Sequence, residues 1–195
     1  MKQTELTAVI LCGGKNRRFP TEKSLLVIDD TVLIKKIYSI CADIFYKVII
    51  ITAKSEIINL FEGDNCLPDI KPNYGSLGGI YSAISYSETS HVFVFACDMP
   101  LISKECISEQ LAYFLKHNRP DVLMPIMDDN IEPLHAIYSK NCLNYIENNL
   151  INNDLRIKNF FQEVKSVYWK YPLKYSKSFF NINTHEDWIR YKNEQ

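Results

Sequence analysis

Runs of apolar, β-branched residues alternate with segments of helical periodicity along the first half of the chain. The runs Thr7–Leu11, Lys47–Ala53 and His91–Ala96 are almost wholly apolar, which is typical of strands buried on both faces of a parallel sheet. Between the first two runs, apolar residues recur at helical spacing from Val32 to Phe45. A strand, a crossover helix and a second strand in this order predict an α/β fold with a mostly parallel central sheet.

Shorter segments of the chain predict further elements on the same grounds of periodicity, turn residues and caps. They are a helix capped by Ser55, a strand over 68–70, a helix from Ser103 to about His117, a strand over 122–125, a returning strand over 132–138, helices over 140–149 and up to Phe161, an aromatic edge strand over 167–171, a strand over 180–183, and a last helix opened by a capping box of Thr184 and Asp187. The aromatic segment could instead form a stacking surface for a flat ligand.

Length and composition narrow the class of protein. The 195 residues suit one domain, 1–195, and a net charge of −1 gives no basic field for nucleic acid. No apolar run is long enough to span a bilayer, so we expect no membrane partner. Six cysteines without a C-x-x-C spacing and four histidines argue against a zinc site, and they fit reduced thiols in the cytoplasm.

The segment after the first predicted strand has the composition of an anion-binding loop. Gly13 and Gly14 leave the backbone bare, and four cations follow within nine residues, namely Lys15, Arg17, Arg18 and Lys23. Backbone N–H groups and fixed positive charge together could hold a nucleoside triphosphate. The Walker spacing and G-x-G-x-x-G are both absent. The alternative that this segment is an ordinary loop of an α/β fold and binds no ligand stays open at this point.

Two further segments predict chemistry at the ends of elements. Asp98 follows the apolar run His91–Ala96, at the carboxyl end where ligands bind in open α/β sheets. A carboxylate there needs a partner, and Mg²⁺ would suit it, although Asp98 could also cap the turn before Pro100. The glycine-rich stretch Gly75–Gly79, ahead of a helix from Ile80, either meets a ligand or allows close helix–sheet packing.

Five segments in order resemble the molybdenum cofactor guanylyltransferase (MobA-like) family of the wider GT-A-like nucleotidyltransferases. The family patterns L-x-G-G-x-S-x-R-x-G-x-x-K, G-P-L-x-G, C-D-x-P, E-P-L-x-A-x-Y and N-I-N-T-P-E-D resemble Leu11–Lys23, Gly75–Gly79, Cys97–Pro100, Glu132–Tyr138 and Asn181–Asp187. The similarity runs nearly end to end. It implies a three-layer α/β/α Rossmann-like (GT-A-like) fold, with a nucleotide-binding N-terminal half and an acceptor-binding C-terminal half.

The resemblance also implies a reaction. GMP would pass from GTP to the molybdopterin-bound molybdenum or tungsten cofactor, giving the guanine dinucleotide cofactor and pyrophosphate, with Mg²⁺ as the metal cofactor. A molybdoenzyme or its chaperone would be a further partner.

The implied site residues fall into three groups. The catalytic residues would be Arg18, Lys23 and Asp98, with Asp98 also holding the metal. GTP would be bound by Leu11, Cys12, Gly13, Gly14, Lys23, Asp69 and Asp98, with Thr52 a weaker candidate. The acceptor would be bound by Asn181 and Asn183, together with Arg156.

Departures from the family patterns leave alternatives open. Pro20 replaces a glycine, Asn16 a serine or alanine, and Ser76 and His185 each replace a proline. Proline cannot reach positive φ, so the loop before Lys23 could follow another path.

The alternatives are a molybdopterin cytidylyltransferase, another nucleotidyltransferase such as one acting on sugar phosphates, and a non-catalytic nucleotide-binding factor that matures a molybdoenzyme. The cytidylyltransferases that this chain resembles tend to carry alanine at the position of Gly13, and a methyl group there would alter how closely a base can sit. The resemblance therefore implies that Gly13 favours guanine, whereas Ser76 leans slightly towards cytosine.

Overall fold

A computed structural model describes residues 4–13, 22–61 and 65–193 of the chain. Its ten strands are β1 (Thr4–Leu11), β2 (Val27–Ile28), β3 (Thr31–Val32), β4 (Phe45–Ile51), β5 (Cys66–Leu67), β6 (His91–Ala96), β7 (Val122–Met127), β8 (Asn130–Ile131), β9 (His135–Ser139) and β10 (Ser166–Lys170). Its seven α-helices are α1 (Leu33–Ile44), α2 (Ser55–Ile58), α3 (Gly75–Tyr86), α4 (Lys104–Lys116), α5 (Leu143–Ile151), α6 (Ile157–Phe160) and α7 (His185–Asn193). Short 3₁₀ helices cover Lys23–Leu25, Lys140–Cys142 and Leu173–Phe179.

Eight strands form one mixed sheet in the order β10-β7-β9-β6-β1-β4-β5, with β8 paired to β7. The central strand β1 runs parallel to both β4 and β6. Only β9 and the short β8 run against the common direction, because β9 pairs antiparallel with β6 and β7, and β10 runs parallel to β7. The strands β2 and β3 form a separate hairpin. The prediction of a mostly parallel sheet is confirmed.

The buried residues of each central strand divide between the two faces of the sheet. Ile10 and Phe95 join a cluster that includes residues of α1 and α4, whereas Val9 and Val94 join a second cluster with residues of α3 and α5. Because both faces are covered by helices, the stretches Ala8–Leu11 of β1, Val48–Ile51 of β4 and Val92–Ala96 of β6 are apolar on both faces. The arrangement is the predicted three-layer α/β/α architecture.

Several predicted elements shift in the structure for identifiable reasons. The third strand covers 66–67 rather than 68–70, and Pro68, which lacks an N–H group, lies beyond its end. The returning strand begins at His135 rather than at Glu132, since Pro133 cannot donate to a ladder. The helix α3 begins at Gly75, so the glycine-rich stretch is its first turn rather than a preceding turn.

Three further predictions, two of helix caps and one of a strand, have different outcomes. Ser55 is the first residue of α2, and the N-cap is Lys54, so the predicted cap is wrong. The capping box is confirmed, because Thr184 N donates to Asp187 Oδ2 (2.8 Å) and Asp187 N donates to Thr184 Oγ1 (3.2 Å). The strand predicted over 180–183 is absent among the described strands. There the backbone of Ile182 donates to Asp98 O at 2.9 Å instead.

Two glycines in the first turns of α3 differ in what surrounds them. A Cβ on Gly78 would lie 2.4 Å from the carbonyl oxygen of Lys71, whereas a Cβ on Gly79 would lie 2.9 Å from Cδ1 of Leu11. The backbone carbonyl cannot move away without shifting the loop, but the end of a leucine side chain can rotate. Gly78 therefore permits the close approach of the 71–74 loop, and Gly79 brings α3 against the end of β1.

We expect Gly78→Ala to lower the free energy of unfolding by about 1–2 kcal/mol, since the overpacking cost exceeds the roughly 1 kcal/mol gain in helix propensity. The matched variant Gly79→Ala should change it by less than about 0.5 kcal/mol, because Leu11 can adjust. Urea denaturation followed by circular dichroism measures both. Equal effects of the two substitutions would contradict this account of Gly78.

Candidate active site at the carboxyl edge of the sheet

Three strands that directly precede predicted site residues end at one edge of the sheet. Leu11 is in register with Ile51 of β4 and with Ala96 of β6, so the three strands end side by side. Cys12 N donates to Ile51 O at 2.9 Å and extends the ladder by one residue. Because parallel strands share a carboxyl edge, the residues that follow β1, β4 and β6 begin together there.

Lys23 joins three distant parts of the chain at this edge. Its Nζ lies 2.6 Å from Asp98 Oδ2 and 3.0 Å from Asn183 Oδ1, although Asn183 is 160 residues away in sequence. The side chains of Lys23 and Asp98 are 15% and 17% exposed, so the ion pair is largely, but not fully, withdrawn from water. The structure thus brings together Lys23, Asp98 and Asn183 from three of the family motifs.

The segment 179–183 crosses the edge beside Asp98. Ile182 is fully buried, and its backbone N–H donates to Asp98 O at 2.9 Å. Asn181 Nδ2 donates to Phe179 O at 3.1 Å, so part of its amide holds its own segment. This backbone contact helps to position Asn183 next to Lys23. The sequence did not reveal the contact.

A second ion pair holds the residue before Lys23 and was missed by the sequence reasoning. Lys54 Nζ lies 2.5 Å from Glu22 Oε2, and Ser24 Oγ donates to Glu22 Oε1 at 3.0 Å. Lys54 follows β4, so the pair ties the start of the Lys23 helix to the end of that strand. A pair of residues so far apart has no spacing signature, and no motif could have pointed to it.

The loop residues of the first motif are only partly within the described chain. Cys12 is fully buried, and burial, followed by its hydrogen bond to Cys97, raises the pKa of its thiol well above the ordinary value. The thiol is therefore a neutral packing group rather than a nucleophile. Gly13 is exposed, with nothing within 4 Å of an added Cβ among the described residues. Gly14 and Arg18 lie outside the described residues.

The remaining predicted site residues lie apart from the Lys23 cluster. Asp69 Oδ1 accepts from Ser82 Oγ (2.6 Å) and from Lys71 N (3.0 Å), so it anchors the loop before α3. Thr52 is buried, and its Oγ1 accepts from Lys54 N at 3.2 Å. Arg156 pairs with Asp154, with 3.0 Å between Nε and Oδ1, and within the described chain it makes no ion pair or hydrogen bond to the Lys23 cluster.

Two ionisable side chains next to the edge were not predicted as functional. His135, at the start of β9, is fully buried, and burial lowers its pKa to about 4. Its Nδ1–H donates to Gln110 Oε1 (3.0 Å), because Gln110 Nε2 already donates to the His135 carbonyl. Its Nε2 has no hydrogen-bond partner in the described part of the chain. Glu132 is half-buried, and burial raises the pKa of its carboxyl to about 7.

Two features are absent from the described ranges, a membrane-spanning helix and a cluster of metal-binding side chains. No helix in residues 4–13, 22–61 and 65–193 is long and apolar enough to cross a membrane. Nor do these residues contain a group of three or more His, Cys, Asp and Glu side chains placed to hold a metal ion. All six cysteines are free, which agrees with the prediction made from their spacing.

The chain is similar to known proteins of one family. The family described as "MobA-like NTP transferase domain" matches residues 8–167. A "Probable molybdenum cofactor guanylyltransferase" of Clostridium perfringens (strain SM101) is 35% identical, covering 95% of this chain and 97% of the relative. A relative of the same description from Natranaerobius thermophilus is 32% identical over 93% of this chain and 92% of its own length.

A solved structure has the same architecture over its whole length. The crystal structure of molybdopterin-guanine dinucleotide biosynthesis protein A from Archaeoglobus fulgidus superposes with a TM-score of 0.81 at 25% identity, covering 97% of this chain and 98% of that one. The motifs that form the Lys23 cluster are therefore set in a fold that this relative shares.

The opposed pKa shifts of His135 and Glu132 predict how stability depends on pH. Below pH 6.5 the imidazole of His135 is protonated in the unfolded chain but stays neutral in the folded chain. The free energy of unfolding therefore falls by up to roughly 1.4 kcal/mol for each pH unit of acidification, down to about pH 4. Glu132 acts in the opposite direction between its ordinary value of 4.5 and about 7, because the folded chain keeps its proton longer. Its share is smaller, since its carboxyl is partly in water.

We therefore expect Glu132→Gln to steepen the loss of stability on acidification from pH 6.5 to 4.5. His135→Asn, whose amide can keep the bond to Gln110, should flatten or reverse that slope, although its overall stability falls. Urea unfolding at pH 4.5, 5.5, 6.5 and 7.5 measures the three slopes. Parallel curves for the parent and both variants would show that neither group titrates as assigned.

Proposed function

Because the chain belongs to the family of MobA-like NTP transferase domains, and is therefore a nucleotidyltransferase, we propose a specific reaction for it. It transfers GMP from GTP to the molybdopterin-bound molybdenum or tungsten cofactor, and it releases pyrophosphate. The curated relatives at 32% and 35% identity carry the name molybdenum cofactor guanylyltransferase, which supports guanine as the base and molybdopterin as the acceptor.

The observation that carries the proposal is the contact of Lys23 Nζ with both Asp98 and Asn183. One ammonium group there faces a carboxylate from the nucleotide half and an amide from the acceptor half. Transfer between two phosphates needs such a place, since its rate depends on positioning and on neutralising charge. In this proposal the α-phosphate of GTP and the terminal phosphate of the acceptor meet beside Lys23.

The donor set at this place fits Mg²⁺. Asp98 Oδ2 is engaged by Lys23, but Oδ1 makes no hydrogen bond among the described residues, and the carboxylate is partly open to solvent. Mg²⁺ characteristically binds through one or two carboxylates, with waters and substrate phosphates completing its shell, so a single aspartate suffices. Asp98 would hold the ion, which supplies charge neutralisation on the phosphates when bound.

The other residues implied by the family patterns also receive roles in this reaction. Lys23, together with Arg18, offsets the charge that develops on the leaving pyrophosphate. The backbone of Leu11, Cys12 and Gly13 follows the end of β1, where it would contact the base together with Gly14, and Asp69 would be a further base or ribose contact. Asn183 accepts a hydrogen bond from Lys23, so it positions that ammonium group as well as facing the acceptor with Asn181.

Two alternatives differ in what the chain would do with substrates. A molybdopterin cytidylyltransferase would prefer CTP. A maturation factor for a molybdoenzyme would bind nucleotide without turnover and would deliver the cofactor to that enzyme or its chaperone. Among the described residues nothing lies within 4 Å of a Cβ added to Gly13, which is compatible with the larger base of GTP.

The direct test incubates the purified chain with GTP, Mg²⁺ and molybdopterin-bound molybdenum, and it measures dinucleotide and pyrophosphate. We expect at least about tenfold faster product formation with GTP than with CTP, a difference that corresponds to about 1.4 kcal/mol. Preference for CTP would identify a cytidylyltransferase. Tight nucleotide binding without product from either nucleotide would identify a binding protein.

Substitutions on the two sides of one ion pair separate the roles of Asp98 and Lys23. Asp98→Asn should lower kcat about a hundredfold or more, because it removes the proposed metal ligand. Lys23→Gln should also weaken GTP binding about tenfold in calorimetry without metal, because it removes a charged contact to the triphosphate.

The matched control is Lys36→Gln, which breaks the surface pair between Lys36 and Asp29 and should leave both quantities unchanged. An Asp98→Asn variant that keeps kcat within tenfold of the parent would remove Asp98 from the reaction. A Lys23→Gln variant with unchanged GTP affinity would count against the triphosphate contact.

A further inference from the structure

Glu132 lies at the same edge of the sheet as Asp98, on the side of β6 where β9 and β7 lie. Its backbone N–H donates to Pro125 O in β7 at 3.0 Å, and its carbonyl accepts from His135 N at 3.1 Å. Two residues later, Leu134 O accepts from Ala96 N at 2.8 Å, directly before the Cys97–Asp98 segment. The turn that carries Glu132 is therefore fastened to the strand end that carries Asp98.

Within residues 4–13, 22–61 and 65–193, no partner explains the position of the Glu132 side chain. It is half-buried, yet its carboxylate makes no hydrogen bond or ion pair within the described ranges. Tyr171 lies close enough to Glu132 to interact with it electrostatically, and its phenol group offers no positive charge. A carboxylate withdrawn from water without a partner is unfavourable, and burial accordingly raises its pKa to about 7. The turn itself uses only the backbone of Glu132, which any residue except proline could supply.

The segment 179–183 runs from Tyr171, near Glu132, to the Lys23 cluster. The ring of Phe179 stacks on Tyr171, with centroids 4.0 Å apart, and lies 4.8 Å from the ring of His135. Four residues further on, Asn183 contacts Lys23. Four residues of extended chain span at most about 14 Å. A molecule with its phosphate beside Lys23 could therefore extend along this segment and place its other end near Tyr171 and Glu132.

The chemistry of an unpaired, half-buried carboxylate specifies what it would bind. Two parallel hydrogen bonds to a pair of adjacent N–H donors satisfy both oxygens. The acceptor in the proposed reaction carries such a pair on its pterin ring, as the ring N3–H and the 2-amino group. Guanine carries the same pair of donors, so position has to distinguish them. The sheet order places β7 and β9 on one side of β6, and β1, β4 and β5, with the loop proposed to hold the base, on the other.

We propose that Glu132 binds the N3–H and 2-amino edge of the acceptor's pterin ring, at the far end of the 179–183 segment from Lys23. This proposal rests on the proposed function, because it takes the acceptor from it. Glu132 is a specificity-determining residue in this view, and the transfer itself occurs at Lys23 and Asp98.

The test uses the full chain with Glu132→Gln, which keeps the shape but replaces one acceptor oxygen with a donor. The matched control is Asp129→Asn, an exposed carboxylate in the neighbouring hairpin. At pH 7.5 we expect Glu132→Gln to raise KM for the molybdopterin acceptor about tenfold or more, with KM for GTP within twofold of the parent. An unchanged acceptor KM would overturn the proposal, and a raised KM for GTP instead would assign the carboxylate to guanine.

A binding measurement keeps this proposal separate from the proposed function. Fluorescence titration compares 6-carboxypterin with 6-carboxylumazine, in which oxygen replaces the 2-amino group. The parent should bind the pterin about tenfold more tightly, and Glu132→Gln should lose that preference while Asp129→Asn keeps it. If the parent fails to make the dinucleotide but shows this preference, the proposed function fails and the assignment of Glu132 stands. A parent that does not distinguish the two ligands overturns the assignment.

Discussion

The ion pair between Lys23 and Asp98 is the contact on which the organisation of the site depends. It joins residues 75 positions apart, and through Asn183 it reaches the C-terminal motif. The pair can form because β1 and β6 are parallel neighbours that end in register, with Leu11 beside Ala96. The 3₁₀ turn at Lys23–Leu25 then returns over that edge, held by Glu22 and Lys54 at the end of β4. The position of Asn183 at the site follows from this arrangement.

The local pattern predicted the elements well where one physical cause dominated. β6 was predicted at its observed bounds, because a strand covered on both faces is apolar throughout, and α1 was predicted to within one residue at each end by its amphipathic spacing. The order of strands was not predictable in the same way. The predicted returning strand implies antiparallel pairing of β9 with β7, but nothing in its sequence shows that β9 also pairs with β6, because pairing partners are set by the tertiary fold. The wrong strand over 180–183 has the same origin, since its backbone bonds to Asp98 and not to a ladder.

The site was predictable to the extent that single residues carry its chemistry. An aspartate after a buried strand and a lysine after a glycine loop indicate a phosphate site by type and position. The contacts that fix them do not follow from spacing, and this holds for Asn183 with Lys23 and for Lys54 with Glu22. Glu132 shows the same limit. Its type and motif are visible in the sequence, but its half-burial and its closeness to Tyr171 arise only in the fold.

Asp69 and Glu132 illustrate how two similar rings could be told apart at one edge. Guanine and pterin present the same pair of donors, so a carboxylate alone cannot discriminate between them. The two carboxylates lie on opposite sides of the central strands, one after β5 and one after β8. Asp69 already accepts bonds from Ser82 and Lys71, whereas Glu132 accepts none among the described residues. A ring at Asp69 has to share the carboxylate with the loop, but a ring at Glu132 would relieve an unpaired charge. In the proposed reaction the larger gain from matching donors would therefore lie on the acceptor side, at Glu132.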